Sequence, residues 1–72
     1  MKRYASNRVF TEQGVLYRAV VEIDEGVVMD CYEFTDELPF TEWLGDDIIL
    51  RRDDRGLLRA FWHDYDEEVM LE

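Results

Sequence analysis

The stretch VLYRAVVEIDEGVVMDCYEF, residues 15–34, decides the fold class. Apolar side chains occupy every second position of its first half, which is the period-2 pattern of a half-buried strand. A second alternating run follows, and the three residues between the runs end in Gly26, which can take the left-handed conformation of a short hairpin loop. We therefore predict a β-hairpin over residues 15–34. The predicted core face of its first strand comprises Val15, Tyr17, Ala19, Val21 and Ile23.

The segments on either side extend this pattern. KRYASNRVF (residues 2–10) alternates as a further strand, and TEQG (residues 11–14) would join it to the hairpin. Downstream, DIILRR (residues 47–52) is a short strand with an apolar centre, followed by the turn sequence DDRG (residues 53–56). Sequential strands at this spacing predict an antiparallel meander.

Residues 35–46, TDELPFTEWLGD, interrupt the alternation. Pro39 lacks an N–H group and would weaken a central strand here. We expect a short helical turn near residues 37–44, with Phe40, Trp43 and Leu44 covering one end of the core.

The C-terminal segment, residues 57–70, fits two interpretations. As a strand, alternate residues from Leu57 to Asp64 face opposite sides of a sheet. As a helix, one stripe would contain Leu58, Phe61, Trp62, Tyr65 and Val69. The preceding DDRG turn and the aromatic content favour the strand. The predicted fold class is thus mainly β, with about five antiparallel strands in an open barrel or sandwich, and the helical alternative would make it α+β.

Size and composition restrict the protein further. A chain of 72 residues is one small domain, residues 1–72, whose core supplies only about 3–5 kcal/mol of net stability. The single cysteine, Cys31, excludes an internal disulfide and a CxxC motif. No stretch matches the centre of a signal peptide or approaches the ~18 apolar residues of a membrane span. We therefore expect a cytoplasmic protein without membrane contact.

The net charge of −10 is unevenly distributed. Residues 1–23 carry four basic and two acidic residues, whereas residues 24–72 carry four basic and sixteen acidic ones. Such a chain repels phosphate backbones, so nucleic-acid binding is disfavoured. Solubility accounts for this charge most simply. An acidic face that docks a basic partner or mimics DNA is the alternative.

The stretch FWHDYDEE, residues 61–68, holds the only histidine, His63, and four carboxylates. In a helix, His63 and Glu67 would share a face, but a zinc site requires three or four ligands. Neither an H-E-x-x-H motif nor a Ca²⁺ loop is present. The stretch is therefore interpreted as a solvated acidic segment beside a surface histidine. No catalytic, cofactor-binding or metal-binding residue is predicted, and no cofactor.

Two other groups of reactive or charged residues receive structural interpretations. Cys31 lies within an apolar strand and is expected to be a small buried hydrophobe. Arg51, Arg52, Arg55 and Arg59 stand among aspartates, which predicts cross-strand ion pairs on an exposed face and not a binding patch.

Residues 7–28, NRVFTEQGVLYRAVVEIDEGVV, resemble the opening β-strands of amidohydrolase-type metal-dependent hydrolases. The similarity is carried by Asn7–Val9 and by Val21–Val28, and more loosely by Trp43–Gly45 and Ile48–Leu50. The family's metal motif would follow Leu50, where this chain has RRDDRGLL. The resemblance therefore implies a free-standing copy of the family's small flanking β-sandwich, without the catalytic barrel or its chemistry.

Three functions follow as hypotheses. The first is a non-catalytic protein-interaction or accessory module, which an exposed apolar or aromatic patch would support. The second is an acidic mimic or inhibitor of a basic protein, whose binding would weaken steeply with salt. The third is a small metal-dependent enzyme, which requires His63 to converge with two or more carboxylates in a pocket. Exposed sheet edges also predict pairing into a homodimer.

Overall fold

The computed structural model describes residues 1–36, 38–64 and 66–72, and only the backbone of Asp64. Its strands form one sheet. In chain order they are β1 (Lys2–Thr11), β2 (Gly14–Asp24), β3 (Val27–Glu33), β4 (Thr41–Trp43), β5 (Ile48–Arg52), β6 (Leu58–Asp64) and β7 (Glu67–Met70).

The sheet consists of two antiparallel units, β1–β3 and β5–β7, which are joined by the parallel pairing of β1 with β5. The strand order is β3-β2-β1-β5-β6-β7, with β4 paired to β1 beside β5. Both β4 and β5 run parallel to β1. The mainly β class and the hairpin over residues 15–34 are confirmed, whereas the purely antiparallel meander of about five strands is wrong. The sheet curls until β3 approaches β6, but it does not close into a barrel.

The hairpin turn is shorter than predicted. Asp24 and Val27 form the last pair of the β2–β3 ladder, which leaves a two-residue loop of Glu25 and Gly26. Their φ angles are +51° and +80°. Two successive left-handed residues are typical of the type I′ turn, whose twist matches that of the flanking strands.

A buried serine bridges the gap between the two parallel partners of β1. β4 pairs with residues 3–5 of β1, and β5 pairs with residues 9 and 10. Between them, the Ser6 Oγ donates to the carbonyl of Asp46 at 2.6 Å and accepts the Arg8 N–H at 3.2 Å. The hydroxyl therefore replaces ladder hydrogen bonds where the strand pairing is interrupted.

The side-chain alternation of β1 and β2 reverses at Asn7 and Arg18. These two residues oppose each other but form no ladder pair, and Arg18 has a φ of +52°. Consequently Leu16, and not Val15 or Tyr17, faces the core together with Ala19. The predicted core face of β2 is thus correct from Ala19 onwards and wrong for Val15 and Tyr17, which are exposed.

Within the described residues, the helical turn predicted near residues 37–44 is wrong, whereas the strand favoured for residues 57–70 is confirmed over its helical alternative. Residues 38–44 form a turn at Pro39–Phe40 followed by β4, while Glu37 lies outside the described residues. Residues 57–70 form β6 and β7 because β6 pairs with β5 along its length, from Ile48–Trp62 to Arg52–Leu58. Tyr65, which belonged to the predicted helical stripe, lies outside the described residues.

One face of the curled sheet, called the inner face, encloses the core. The buried core cluster consists of Val9, Ala19, Val21, Ile23, Leu44, Ile48, Leu50, Ala60 and Leu71. Complete burial of a valine or isoleucine stabilises the fold by about 1.5–3 kcal/mol. The opposite side is called the outer face, and it carries the features that bear on function.

Candidate interaction surface

The connection between β3 and β4 crosses the outer face of the sheet. β3 lies beyond β2, whereas β4 lies on the other side of β1, so the chain must pass over both strands. Val20 and Ala5 lie beneath the crossing, paired with each other, and are 0% and 1% exposed although they face away from the core. A small second apolar cluster therefore forms on the outer face.

Four side chains of this region form what we call the aromatic surface: Phe34, Leu38, Phe40 and Trp43. Phe34 and Trp43 meet edge to face, with ring centroids 6.2 Å apart and planes at 84°. This geometry is favourable for aromatic pairs because the positive ring edge meets the negative ring face. Trp43 nevertheless remains 49% exposed.

The reversal of alternation at Arg18 positions Phe34. The carbonyl of Arg18 accepts the Phe34 N–H at 2.9 Å, and its guanidinium lies 5.7 Å from the centroid of the Phe34 ring. A cation over an aromatic ring contributes about 0.5–1 kcal/mol at an exposed site. Phe34 of the aromatic surface is thus held by a hydrogen bond and a cation–π contact to Arg18, the left-handed residue of β2.

Phe40 is the most unusual residue of the surface. Its side chain is 95% exposed and its φ is +55°. Pro39 followed by a left-handed residue is the arrangement of a type II turn, where glycine is favoured. A bulky residue in this conformation costs about 1–2 kcal/mol. Phe40 therefore combines backbone strain with an uncovered ring, and neither feature stabilises the free protein.

Two clefts flank Leu38 and Thr41. The smaller has a volume of about 240 Å³ and is lined by Ala5, Phe34, Leu38, Thr41 and Trp43. The larger, of about 580 Å³, is a shallow depression between residues 1–4 and residues 38–42. Phe40 stands at the larger cleft, and Trp43 borders the smaller one. The lining of the smaller cleft is mainly apolar and suits an apolar side chain of a partner, whereas Lys2, Arg3 and Glu42 make the larger cleft more polar.

The segment that carries the aromatic surface is acidic, but cations lie beside it: Arg18 over the Phe34 ring, and Lys2 and Arg3 at the larger cleft. Six acidic and no basic residues lie between positions 33 and 47. Of these, Glu33, Asp36, Glu42 and Asp46 are exposed. The nearest paired cation is Arg3, whose Nε lies 3.2 Å from the Glu22 carboxylate and whose NH1 donates to the Pro39 carbonyl at 3.5 Å.

A hydrogen-bonded group supports this side of the site. The Tyr32 hydroxyl donates to Glu22 Oε2 at 2.6 Å, and the same oxygen accepts from Arg3. The Tyr32 hydrogen bond, together with Arg3, lowers the pKa of the Glu22 carboxyl. The same bond raises the pKa of Tyr32, since the carboxylate favours the protonated phenol.

A second apolar feature of the outer face is largely covered by the chain itself. Five directly paired side chains cross five strands in one row, the outer apolar row: Val15, Phe10, Ile49, Phe61 and Met70. Arg8 lies over the Phe10 ring at 5.7 Å, and Arg51 lies over the Phe61 ring at 4.3 Å. Asp47 and Glu68 hold these arginines in ion pairs. The aromatic surface has no such cover over Phe40.

The FWHDYDEE stretch does not assemble a site within the described residues. His63 is exposed in β6, pairs with Glu68 of β7, and donates its backbone N–H to the Asp47 carbonyl at 3.2 Å. No group of three His, Cys, Asp or Glu side chains that could hold a metal ion is found among the residues described. Tyr65 and the side chain of Asp64 lie outside them.

Cys31 is half-buried at the edge of the core. It borders a cleft of about 240 Å³ whose other lining residues are Thr11, Glu12, Gln13, Gly14, Leu16, Leu50 and Leu58. Burial, and to a lesser extent the charge of Asp30, raises the pKa of the thiol to about 11. A thiol in this environment stays protonated at neutral pH and is a poor nucleophile.

The predicted cross-strand ion pairs are present, with partners from more distant strands than expected. Arg59 pairs with Asp53, but Arg52 pairs with Glu12 and Arg51 with Glu68. These pairs cancel positive charge locally.

No protein-family model, no curated protein and no solved structure matches this chain. The similarity to the flanking β-domain of amidohydrolases therefore stays a prediction. In the described part of the chain, no helix is long and apolar enough to cross a membrane.

The prediction that Phe40, Trp43 and Leu44 cover one end of the core is confirmed for Leu44 and wrong for Phe40, which is exposed. Trp43 is half-exposed on the outer face, and the aromatic surface was not predicted. The available signal was the pair Pro39–Phe40 in a segment without alternation. A proline favours the first central position of a type I or type II turn, so a turn at Pro39–Phe40 could be predicted. The left-handed backbone of Phe40 could not, because that position of a type II turn favours glycine or asparagine.

Proposed function

We propose that this chain is a non-catalytic protein-interaction module, and that its aromatic surface binds a segment of another protein that carries both basic and apolar side chains. The observation that carries this proposal is the strained, 95% exposed ring of Phe40. Strain of this kind persists where the surrounding structure maintains it and is concentrated at functional positions. Aromatic residues, phenylalanine among them, are also enriched at the cores of protein interfaces.

The partner's chemistry follows from the surroundings of the surface. The smaller cleft beside Leu38 accepts an apolar side chain, and the exposed acids at positions 33, 36, 42 and 46 attract lysine or arginine. Complementary charge accelerates association and selects against acidic partners. We include a cytoplasmic location in the proposal because the chain has a single cysteine.

The resemblance to the flanking β-domain of amidohydrolases is compatible with this role. In that family the small β-sandwich flanks a catalytic barrel. An accessory domain bound to a larger protein is one form of the proposed interaction module.

An acidic mimic of DNA, or an inhibitor of a basic protein, is the second candidate function. It is favoured by the sixteen acidic against four basic residues of positions 24–72. This function relies on charge distributed over the surface. It therefore predicts binding that depends steeply on salt and very little on Phe40.

The experiment is an NMR titration of the ¹⁵N-labelled protein with a synthetic peptide in which lysine alternates with leucine. An acidic counterpart, with glutamate in place of lysine, serves as the control peptide. The proposal expects saturable shift changes confined to residues 34–44 and to the start of β1, with the basic peptide only. Diffuse changes along all acidic segments would contradict it and favour the acidic mimic.

A pair of charge-reversal variants sharpens this titration. Glu42→Lys places a positive charge at the larger cleft, whereas Asp54→Lys makes the same change of net charge in the exposed β5–β6 turn. The proposal expects Glu42→Lys to weaken binding of the basic peptide several-fold more than Asp54→Lys does. Equal effects of the two variants would show that only the total charge matters.

A further inference from the structure

The strand β4 leaves one of its two edges open beside the aromatic surface. Among the described residues β4 pairs with β1 alone, in the register Arg3–Thr41, Tyr4–Glu42 and Ala5–Trp43. β5 pairs with the same side of β1 farther along the strand, and β6 pairs with the other edge of β5. This β6 pairing extends over residues 48–52 and does not include β4. Within the described residues the sheet therefore has a step at β4, because no described strand pairs with its second edge.

The backbone of β4 is oriented for a further strand. The Leu44 N–H donates to the Ala5 carbonyl at 2.8 Å, so the amide of Leu44 points towards β1. Backbone groups of successive strand residues point to opposite edges. The N–H and C=O groups of Trp43 and Thr41 therefore point away from β1, towards the open edge.

We propose that the partner segment binds in an extended conformation, as an additional strand on the open edge of β4; this inference rests on the proposed function. Main-chain hydrogen bonds to Trp43 and Thr41 would supply affinity, and the side chains would supply specificity, as in other cases of strand addition.

The side-chain positions of β4 define the sequence pattern of the partner. Residues directly opposite each other in neighbouring strands share a face. A residue opposite Trp43 or Thr41 would lie on the outer face, beside the half-exposed Trp43 ring, and we expect it to be apolar. A residue opposite Glu42, which is exposed on the other face, must be basic. The partner segment thus reads apolar–basic–apolar.

The test uses the alternating lysine–leucine peptide and a second peptide of the same composition whose leucines have helical spacing. Single N-methyl groups are placed at each position of the first peptide in turn, which removes one backbone donor at a time. Strand addition expects every second N-methyl group to lower the affinity by about tenfold or more. It also expects slower hydrogen exchange of the Trp43 amide in the complex.

The outcomes separate this inference from the proposed function. Binding at the aromatic surface that tolerates N-methylation at all positions, or that is equally strong for the helical peptide, would overturn strand addition and leave the interaction module in place. Binding elsewhere on the protein would overturn both. Alternating sensitivity to N-methylation, with protection of Trp43, would support both.

Discussion

Replacement of Phe40 by glycine should stabilise the protein. The ring is 95% exposed, so its removal forfeits burial of only about 10 Å², or about 0.3 kcal/mol. Glycine adopts the φ of +55° without the Cβ clash, which recovers about 1–2 kcal/mol. The greater conformational freedom of glycine in the unfolded chain offsets roughly 0.5–1 kcal/mol of this stabilisation. The expected net stabilisation of Phe40→Gly is about 0.5 kcal/mol.

Phe40→Ala is the matched control, because alanine removes the same ring but keeps the Cβ. Its free energy of unfolding should stay close to that of the parent protein, since neither the burial nor the strain changes much. The assay is urea unfolding followed by tryptophan fluorescence, with the slope of the transition compared between variants. A Phe40→Gly variant that is no more stable than Phe40→Ala would refute the strain argument.

Three further predictions concern the fold and its ionisable groups. Ser6→Ala removes the buried hydroxyl that bonds the Asp46 carbonyl and the Arg8 N–H. It should lower the free energy of unfolding by about 1–3 kcal/mol in the same urea assay. An unchanged free energy of unfolding would contradict the bridging role. The Cys31 thiol, with a pKa of about 11, should react with a disulfide reagent at pH 8 about a hundredfold more slowly in the native protein than in urea, and equal rates would contradict its burial. The Leu57 N–H and Arg59 lower the pKa of Asp53, so this carboxylate stabilises the fold above the ordinary carboxyl pKa of 3.8, and the stabilisation is lost as the pH falls below it. Asp53→Asn should therefore flatten the pH dependence of the free energy of unfolding in that range. An unaltered pH dependence would exclude the contribution.

Local sequence patterns were sufficient to predict the hairpin of β2 and β3. Alternation from Ala19 to Ile23 and the left-handed preference of Gly26 agree with the observed strands and turn. For residues 57–70 the periodicity was ambiguous, since apolar residues satisfied both a strand and a helix. The pairing of β6 with β5 settles the conformation, and this contact depends on tertiary structure.

Other features have no local signal in the sequence. Arg18 adopts a left-handed backbone because its carbonyl receives the Phe34 N–H and its side chain lies over the Phe34 ring, and both contacts bridge two strands. The parallel pairing of β4 and β5 with β1 joins segments far apart in the chain. The open edge of β4 follows from that pairing, so it could not be predicted without it.

The apolar composition of residues 34–43 misled the assignment of the site. An aromatic cluster in a small domain is normally part of the core, and Phe34 and Leu38 do cover Val20 and Ala5 on the outer face. Phe40 departs from this rule because the turn after Pro39 directs its side chain into solvent.

The most direct test of the account is the affinity of the alternating lysine–leucine peptide for Phe40→Gly, measured by isothermal titration calorimetry. Met29→Ser, which alters a residue that is 59% exposed but lies outside the aromatic surface, is the control. Loss of a phenyl ring that becomes buried on binding should weaken the affinity about tenfold or more, while the variant stays at least as stable as the parent. An affinity equal to that of the parent protein would contradict the claim that Phe40 is held exposed for binding.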